Sequence, residues 1–198
     1  MIIKKIITGA IIFLLAGKAN AQQSYTDSLL DYQLHYKQDL FEIIKNDTSA
    51  VKFFPIDPSY RVIAKVEKLS GEKFFNMPTS SGMNKQAIRY LKLKFSLHGK
   101  EYVLYAYRLS QLMSTEKYKD DFFIPFIDAT SGIESYGGGK YMDFVTSNIT
   151  ADNKLVIDFN RSYNPYCAFR SGYNCPIPPK ENELIFEIRA GEMGFSKH

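Results

Sequence analysis

The sequence of 198 residues lacks tryptophan and has only two cysteines and three histidines. The histidines are His35, His98 and His198, and none lies in the polar, glycine-rich region between Asp128 and Glu192. A serine or cysteine nucleophile needs a histidine base within reach, so the sequence disfavours a hydrolase of that kind. The lack of tryptophan also weakens the case for a surface on which sugar rings stack.

Long hydrophobic runs are missing too, except at the N-terminus. Lys4 and Lys5 precede an apolar run over residues 6–16, and Ala19-Asn20-Ala21 follows as a small-x-small cleavage pattern. This order predicts a secretory signal peptide over residues 1–21. An uncleaved anchor is the alternative, but a run of this length crosses only about half of a ~30 Å hydrocarbon core.

We therefore expect an exported protein, periplasmic or secreted, with no transmembrane span once the signal peptide is removed. No cysteine follows the cleavage pattern directly, so we do not expect a lipoprotein. Residues 22–198 have the size of one domain, and no internal repeat or low-complexity tract divides them.

An excess of positive charge is missing once the signal peptide is set aside. The full chain has 25 Lys and Arg against 21 Asp and Glu. Residues 1–21 contain three lysines and no acid, which leaves 22 basic against 21 acidic residues and a formal charge of +1. A phosphate-binding face needs a local excess of Lys and Arg, so we expect no nucleic-acid partner.

The hydrophobic period changes once along the chain, after Pro55. Between Thr26 and Lys45 the spacing predicts an amphipathic helix, with Thr26 or Asp27 as N-cap and Asn46-Asp47 as a stop. The apolar face of this helix is expected to consist of Leu29, Leu30, Leu34, Leu40, Phe41 and Ile44. Beyond Pro55 the period is two, and we predict strands over residues 61–69, 88–95, 102–107, 122–127, 141–145, 155–159 and 184–188.

Such short strands separated by turn residues predict a mainly β fold. We expect an antiparallel sheet curled into a barrel or sandwich, with the N-terminal amphipathic helix packed on it. The alternative is an α+β fold in which the helix covers an open sheet. Residues 98–100 predict a hairpin turn, and residues 70–85 predict a loop. We expect Phe74 and Phe75 to anchor this loop to the core, with an exposed patch as the alternative.

The two cysteines, Cys167 and Cys175, lie in the segment NPYCAFRSGYNCPIPP with seven residues between them. Tetrahedral zinc needs three or four Cys, His or carboxylate ligands, and no histidine lies near this pair, so we expect no metal. In an exported protein an even cysteine count favours a disulfide, with reactive thiols or a metal as the less favoured alternatives. Four prolines stiffen the same segment.

Three glycines precede Lys140, but their spacing is wrong for a phosphate-binding P-loop. Tyr141 stands where that motif requires Ser or Thr. The glycines are instead expected to provide a sharp bend, a bulge or a close approach to a ligand. We expect no cofactor.

Acids in the polar region could supply the carboxylate pair of a glycoside hydrolase, which needs two of them at about 5 to 10 Å. They are Asp128, Glu134, Asp143, Asp158 and Glu192. In the alternative, which we favour, they form structural salt bridges and caps with Lys140, Arg161 and Arg189.

Six motifs follow one another in the second half of the chain. They are FIPFID, DATSGIESYGGGKY from Asp128, DFNRSYNPYCAF from Asp158, NCPIPP, Glu181-Asn182 and RAGE from Arg189. This series resembles the domain-of-unknown-function family DUF1684, well over residues 122–194 and in outline before them. Ser135, Lys140 and Phe169 depart from the usual Thr, Arg and Tyr, and Lys140 puts in doubt any bidentate contact at that position.

The resemblance brings no established activity, but it implies that the polar residues of these motifs form one functional or structural unit. The candidate site residues are Asp128, Glu134, Tyr136, Lys140, Asp158, Asn160, Tyr163, Asn164, Tyr166, Asn182, Arg189 and Glu192. We expect a binding or interaction module that holds a small polar ligand at one end of the β scaffold. The alternatives are a hydrolase-like enzyme with a carboxylate pair in the same loops, and a structural clamp in which Asp and Asn side chains satisfy loop amides.

Overall fold

The computed structural model describes the backbone of residues 2–45 and 48–195, with side chains from residue 22 onward in those ranges. The side chains of the predicted signal peptide, residues 1–21, and the predicted helix stop at Asn46-Asp47 lie outside the described residues. Among the helices that the structure describes, none combines the length and apolar character needed to cross a membrane.

The N-terminal part of the chain forms one long helix, α1 (Ile2–Ile44). The predicted helix lies within it, but α1 runs through Thr26 and Asp27 instead of starting there, so the predicted N-cap is wrong. The residues just before Thr26 are two glutamines, a serine and a tyrosine. They include no glycine or proline, so nothing in the local sequence interrupts the helix.

One face of α1 packs on the rest of the protein, where Leu29, Leu40 and Ile44 are buried. The other three apolar residues of the predicted face are 53%, 56% and 48% exposed, namely Leu30, Leu34 and Phe41. Successive helical residues are about 100° apart, so these three form a separate stripe turned away from the buried one. The prediction of a single apolar face was therefore only half right.

In the described part of the chain, seven strands follow the helix. They are β1 (Arg61–Lys68), β2 (Phe75–Pro78), β3 (Asn84–Leu97), β4 (Lys100–Leu109), β5 (Asp121–Phe126), β6 (Lys140–Val145) and β7 (Lys154–Asp158). A short helix, α2 (Ser110–Met113), follows β4. Six of the seven predicted strands are confirmed within a few residues, and β3 and β4 form the predicted hairpin with positive φ at His98 and Gly99.

The strands form one antiparallel sheet in the order β6-β5-β4-β3-β1-β7, with β2 added beside β3. The sheet curls into a half-barrel, which confirms the predicted curled antiparallel sheet with an N-terminal helix. In β1 the alternation of buried and exposed residues is strict, since Val62, Ala64 and Val66 face the core. The core continues through β3, β4 and β5 and includes Phe126 and Phe159, whose rings meet edge to face.

Two sequence-based expectations are corrected. Residues 184–188 do not form a strand, because their backbone bonds to the connection after β5 instead of to a ladder. Leu184 N donates to Ile127 O at 2.8 Å, Ile188 N donates to the Asp128 carboxylate at 3.2 Å, and Ile185 is 96% exposed. Residues 70–85 are not a loop throughout, since they contain β2.

The predicted aromatic anchor in that segment is half confirmed. Phe74 is 49% exposed, whereas the Phe75 ring packs edge to face against Tyr107 with centroids 6.1 Å apart. Phe75 lies in β2 and pairs with Ala87 of β3. Pairing with β3 therefore turns only the second phenylalanine toward the core.

The predicted disulfide is confirmed. Cys167 and Cys175 are bonded, with Cα atoms 6.4 Å apart. The loop that they close packs against the C-terminal end of α1, where Phe169 is buried beside Leu40 and Ile44. The disulfide thus holds one of the surfaces against which the helix rests.

Candidate functional site

Two buried charged residues of the polar region form an ion pair. The side chains of Asp128 and Lys140 are both 0% exposed, and the Lys140 Nζ atom lies 3.2 Å from Asp128 Oδ2. This contact has the distance of an ion pair but not the angles of a hydrogen bond. Asp128 Oδ1 accepts from the backbone N–H groups of Thr130 and Ile188 at 2.8 and 3.2 Å.

Lys140 uses its other two protons on backbone carbonyls, donating to Ile188 O at 3.0 Å and Ala190 O at 3.1 Å. Burial lowers the pKa of this ammonium, and the Asp128 carboxylate partly opposes that effect. Gly139, with φ of +84°, lets the chain turn here, because a Cβ atom would lie 2.5 Å from Phe126 O. Lys140 therefore joins β6 to the RAGE segment as a structural cation.

The side-chain amides of two asparagines hydrogen-bond to backbone groups in the way that a neighbouring strand would. The Asn182 amide accepts from Tyr105 N and donates to Tyr105 O, both at 2.8 Å, and it also donates to Pro125 O at 2.6 Å. The Asn160 amide makes the same paired contact with the backbone of Asp57, at 3.1 and 2.9 Å. Both side chains are buried, and these contacts are those expected of a structural clamp.

Glu192 is a buried acid with one satisfied oxygen. Its Oε2 accepts from Tyr36 Oη and from Asn164 N, both at 2.8 Å. Its Oε1 and Asn164 Oδ1 are buried and accept no hydrogen bond from the described residues. Burial raises the pKa of Glu192 to about 7 against an ordinary value of 4.5, although the two hydrogen bonds favour the charged form.

Glu134 and Arg189 pair at the surface. Arg189 Nε lies 3.0 and 3.1 Å from the two carboxylate oxygens, and Nη2 lies 2.9 Å from Oε1. The two side chains are 34% and 51% exposed, so solvent screens much of the attraction. Tyr136 is half-buried nearby and covers Gly138, where a Cβ atom would lie 2.3 Å from the tyrosine ring.

A cleft of about 900 Å³ lies between α1 and the open side of the half-barrel. The walls come from the two sheet edges, β6 with Asp143 and β7 with Asp158, and from α1 across them. Five tyrosines line this tyrosine cleft, namely Tyr25, Tyr32, Tyr36, Tyr163 and Tyr166. Its charged residues are Asp39, Asp143, Asp158, Arg61 and Arg161. In the part of the chain that the structure describes, none of these five charges forms a salt bridge within 4.0 Å.

Sequence reasoning missed three of these tyrosines, which lie on α1. Their hydroxyls donate to Asp158 at 3.0 Å (Tyr25), to the Arg161 carbonyl at 2.9 Å (Tyr32) and to Glu192 at 2.8 Å (Tyr36). The spacing of seven and then four residues places them on one helix face, a signal that was present in the sequence. The predicted apolar face of the helix does not include them; they lie along its border.

Asp143 and Tyr163 meet at the other wall of the tyrosine cleft, where the Tyr163 hydroxyl donates to Asp143 Oδ2. Tyr163 is held by backbone pairing with Tyr141 at 2.9 and 3.1 Å, which links the chain after β7 back to β6. Asp143 remains accessible to water, but crowding by protein atoms raises the pKa of its carboxyl, and the Tyr163 hydrogen bond partly opposes this.

The structure therefore divides the predicted site residues. Asp158, Tyr163 and Tyr166 line the tyrosine cleft, and Asn160, Asn164 and Glu192 lie beneath it, linked by hydrogen bonds to its wall. The residues that do not line it are Asp128, Glu134, Tyr136, Lys140, Asn182 and Arg189. No group of three or more metal-ligating side chains occurs among the described residues.

The chain is similar to a known family and to a solved structure. The family model described as a protein of unknown function, DUF1684, matches residues 46–193. The chain is also similar to the solution NMR structure of an uncharacterized protein from gene locus rrnAC0354 of Haloarcula marismortui, at 32% identity and a TM-score of 0.59, over 75% of this chain and 78% of that one. No curated protein matches the chain significantly. Helix α1 precedes the residues that the family model matches.

Proposed function

The chain belongs to the DUF1684 family, and we propose that it is an exported binding module that holds a small polar molecule in the tyrosine cleft. The proposal rests on the volume of the tyrosine cleft together with the residues that line it. A cavity of about 900 Å³ is of the size that takes small ligands, and its wall combines aromatic rings with a few charged groups. Export rests on the N-terminal sequence alone.

The unpaired charges of the tyrosine cleft support a ligand more than a purely structural role. Outside the cleft, ion pairs form between Asp128 and Lys140 and between Glu134 and Arg189. Asp143 and Arg61 line a cavity without an ion-pair partner among the described residues. Charges held without a partner in a concave site are available to a bound molecule.

A cleft-filling substitution tests the proposal. Ser28 is exposed on α1 and lines the tyrosine cleft, so Ser28→Tyr should occupy it, whereas Asp27→Tyr adds the same side chain next to it, outside the lining. In a thermal-shift screen of a metabolite library, a ligand at 100 times its Kd should stabilise the wild type by about 2.7 kcal/mol. Asp27→Tyr should keep that shift and Ser28→Tyr should lose it.

Two results would contradict binding in the cleft. One is a screen in which no compound raises the melting temperature of the wild type. The other is a ligand that stabilises Ser28→Tyr as much as the wild type, because such a ligand would bind elsewhere.

Hydrolysis is a second candidate, favoured by the two aspartates that line the same cleft from opposite edges of the sheet. The raised pKa of Asp143 suits a proton donor, and Asp158, which accepts from Tyr25 and Asn160, suits an anionic partner. The wild type should then release nitrophenol from nitrophenyl glycosides. Asp143→Asn should slow this at least about 100-fold, and the exposed control Asp120→Asn should not. Equal rates for the two variants would rule this mechanism out.

A further inference from the structure

Two aromatic rings meet in the tyrosine cleft, and one of them is hydrogen-bonded to the Asp143 carboxylate. The Tyr36 and Tyr163 ring centroids are 5.9 Å apart with an interplanar angle of 46°, and both rings line the tyrosine cleft. The Tyr163 hydroxyl donates to Asp143, which fixes the carboxylate at the hydroxyl end of the Tyr163 ring. The face of an aromatic ring carries negative charge, so rings and carboxylate together form a site of one sign.

Among the residues that the structure describes, no basic side chain forms an ion pair with Asp143, although Arg61 and Arg161 line the same cleft. The charged and polar side chains that act on Asp143 are Tyr163 and Asp121, and neither is basic. Arg161 lies in the cleft but stacks on the ring of Tyr32, with its guanidinium carbon 4.9 Å from the centroid. The stacked arginine shows that a tyrosine ring in this cleft accepts a cation.

We propose that the tyrosine cleft binds a small organic cation, whose amine or quaternary ammonium group contacts the Tyr36 and Tyr163 rings and the Asp143 carboxylate. This inference rests on the proposed binding function and adds the class of ligand. An ammonium group gains from the ring faces and from the carboxylate at once. A neutral molecule without a donor would remove the water that hydrogen-bonds to the carboxylate and offer no hydrogen bond in its place. An anion would be repelled by the carboxylate.

Isosteric probes test the charge of the ligand. Choline, its neutral isostere 3,3-dimethylbutan-1-ol and the anion 3,3-dimethylbutanoate have similar shapes. In titrations of the purified protein followed by tyrosine-ring NMR signals, choline or tetramethylammonium should bind at least about tenfold more tightly than either isostere, in keeping with a cation–π contact plus a carboxylate.

The Asp143→Asn variant then locates the cation. It should weaken choline binding about tenfold and leave the neutral isostere unchanged, whereas Asp120→Asn, an exposed aspartate outside the cleft, should bind choline like the wild type. The comparison among probes needs only the wild-type protein, so it stands even if Asp143→Asn is unstable.

Two results overturn the inference and separate it from the proposed function. If a neutral or anionic probe binds as tightly as choline and Ser28→Tyr blocks it, the cleft binds ligands but does not select cations. If no ammonium probe binds while another ligand class stabilises the wild type, the inference is wrong and the binding module remains. If no compound of any class binds in the cleft, both the proposed binding function and the inferred selectivity for cations are wrong.

Discussion

Asp128→Ala is expected to lower the free energy of unfolding by about 3 to 5 kcal/mol. The substitution leaves the Lys140 ammonium, which is 0% exposed, without its counter-ion. It also removes the acceptor for the backbone N–H groups of Thr130 and Ile188, which hold the segment after β5 to residues 184–188. Urea unfolding followed by circular dichroism measures the loss.

Two further variants give this experiment its controls. Glu116→Ala breaks an exposed pair with Lys119, whose side chains are 88% and 51% exposed, and should change stability little. The double variant Asp128→Leu/Lys140→Met should be more stable than Asp128→Ala, since it removes both charges together. A loss below about 1 kcal/mol in Asp128→Ala would mean that the buried pair does not hold the fold.

Glu192 is expected to make the protein less stable as the pH rises from about 4.5 to about 7. The unfolded chain loses this proton near pH 4.5, whereas burial raises the pKa to about 7 in the folded protein. Between these values the folded state holds a proton that the unfolded state lacks. The free energy of unfolding therefore falls across this window, by about 3 kcal/mol in total from this group.

Glu192→Gln should remove that contribution. The amide stays neutral at every pH, and its oxygen can still accept from Tyr36 and Asn164 N. Its NH₂ group replaces the carboxylate oxygen Oε1, which accepts no hydrogen bond from the described residues. At pH 8 the variant should be more stable than the wild type by up to about 3 kcal/mol, with the difference vanishing near pH 4.

The pH dependence is measured by urea unfolding at intervals from pH 4 to pH 8. Glu183→Gln, the same substitution at an exposed acid, should follow the wild-type profile. Parallel profiles for Glu192→Gln and the wild type would show that the buried carboxyl titrates normally and that its environment is not desolvating.

The hydrophobic alternation and the turn residues of short segments were enough to predict most of the strands. The alternation of Val62, Ala64 and Val66 with exposed residues predicted β1, and the turn at His98-Gly99 predicted the hairpin. Residues 184–188 carry a similar apolar signal but form no strand, because the Asp128 carboxylate and the carbonyl of Ile127 take the place of a neighbouring strand. The hydrophobic pattern of residues 184–188 does not show that a distant carboxylate accepts a hydrogen bond from their backbone.

The candidate site was predicted less completely than the fold, because its contacts join residues that are far apart in the sequence. Glu134 and Arg189 were identified as partners for structural salt bridges, and they do pair. The tyrosines of α1 were not foreseen, since Tyr36 reaches Glu192 across 156 positions and Tyr25 reaches Asp158 across 133. The spacing of the tyrosines on one face of α1 is visible in the sequence, but the identity of such distant partners is not.

The sequence alone determined six of the seven described strands and the family resemblance, and with the predicted export it made a disulfide between Cys167 and Cys175 the favoured state. These follow from side-chain period, turn residues and motif order, which are properties of short segments. Only the tertiary structure decided that Lys140 is a buried counter-ion and that the open side of the half-barrel becomes a cleft lined by tyrosines. Burial and charge pairing depend on which segments the sheet brings together, and curling of the sheet brings β6, β7 and α1 to one place.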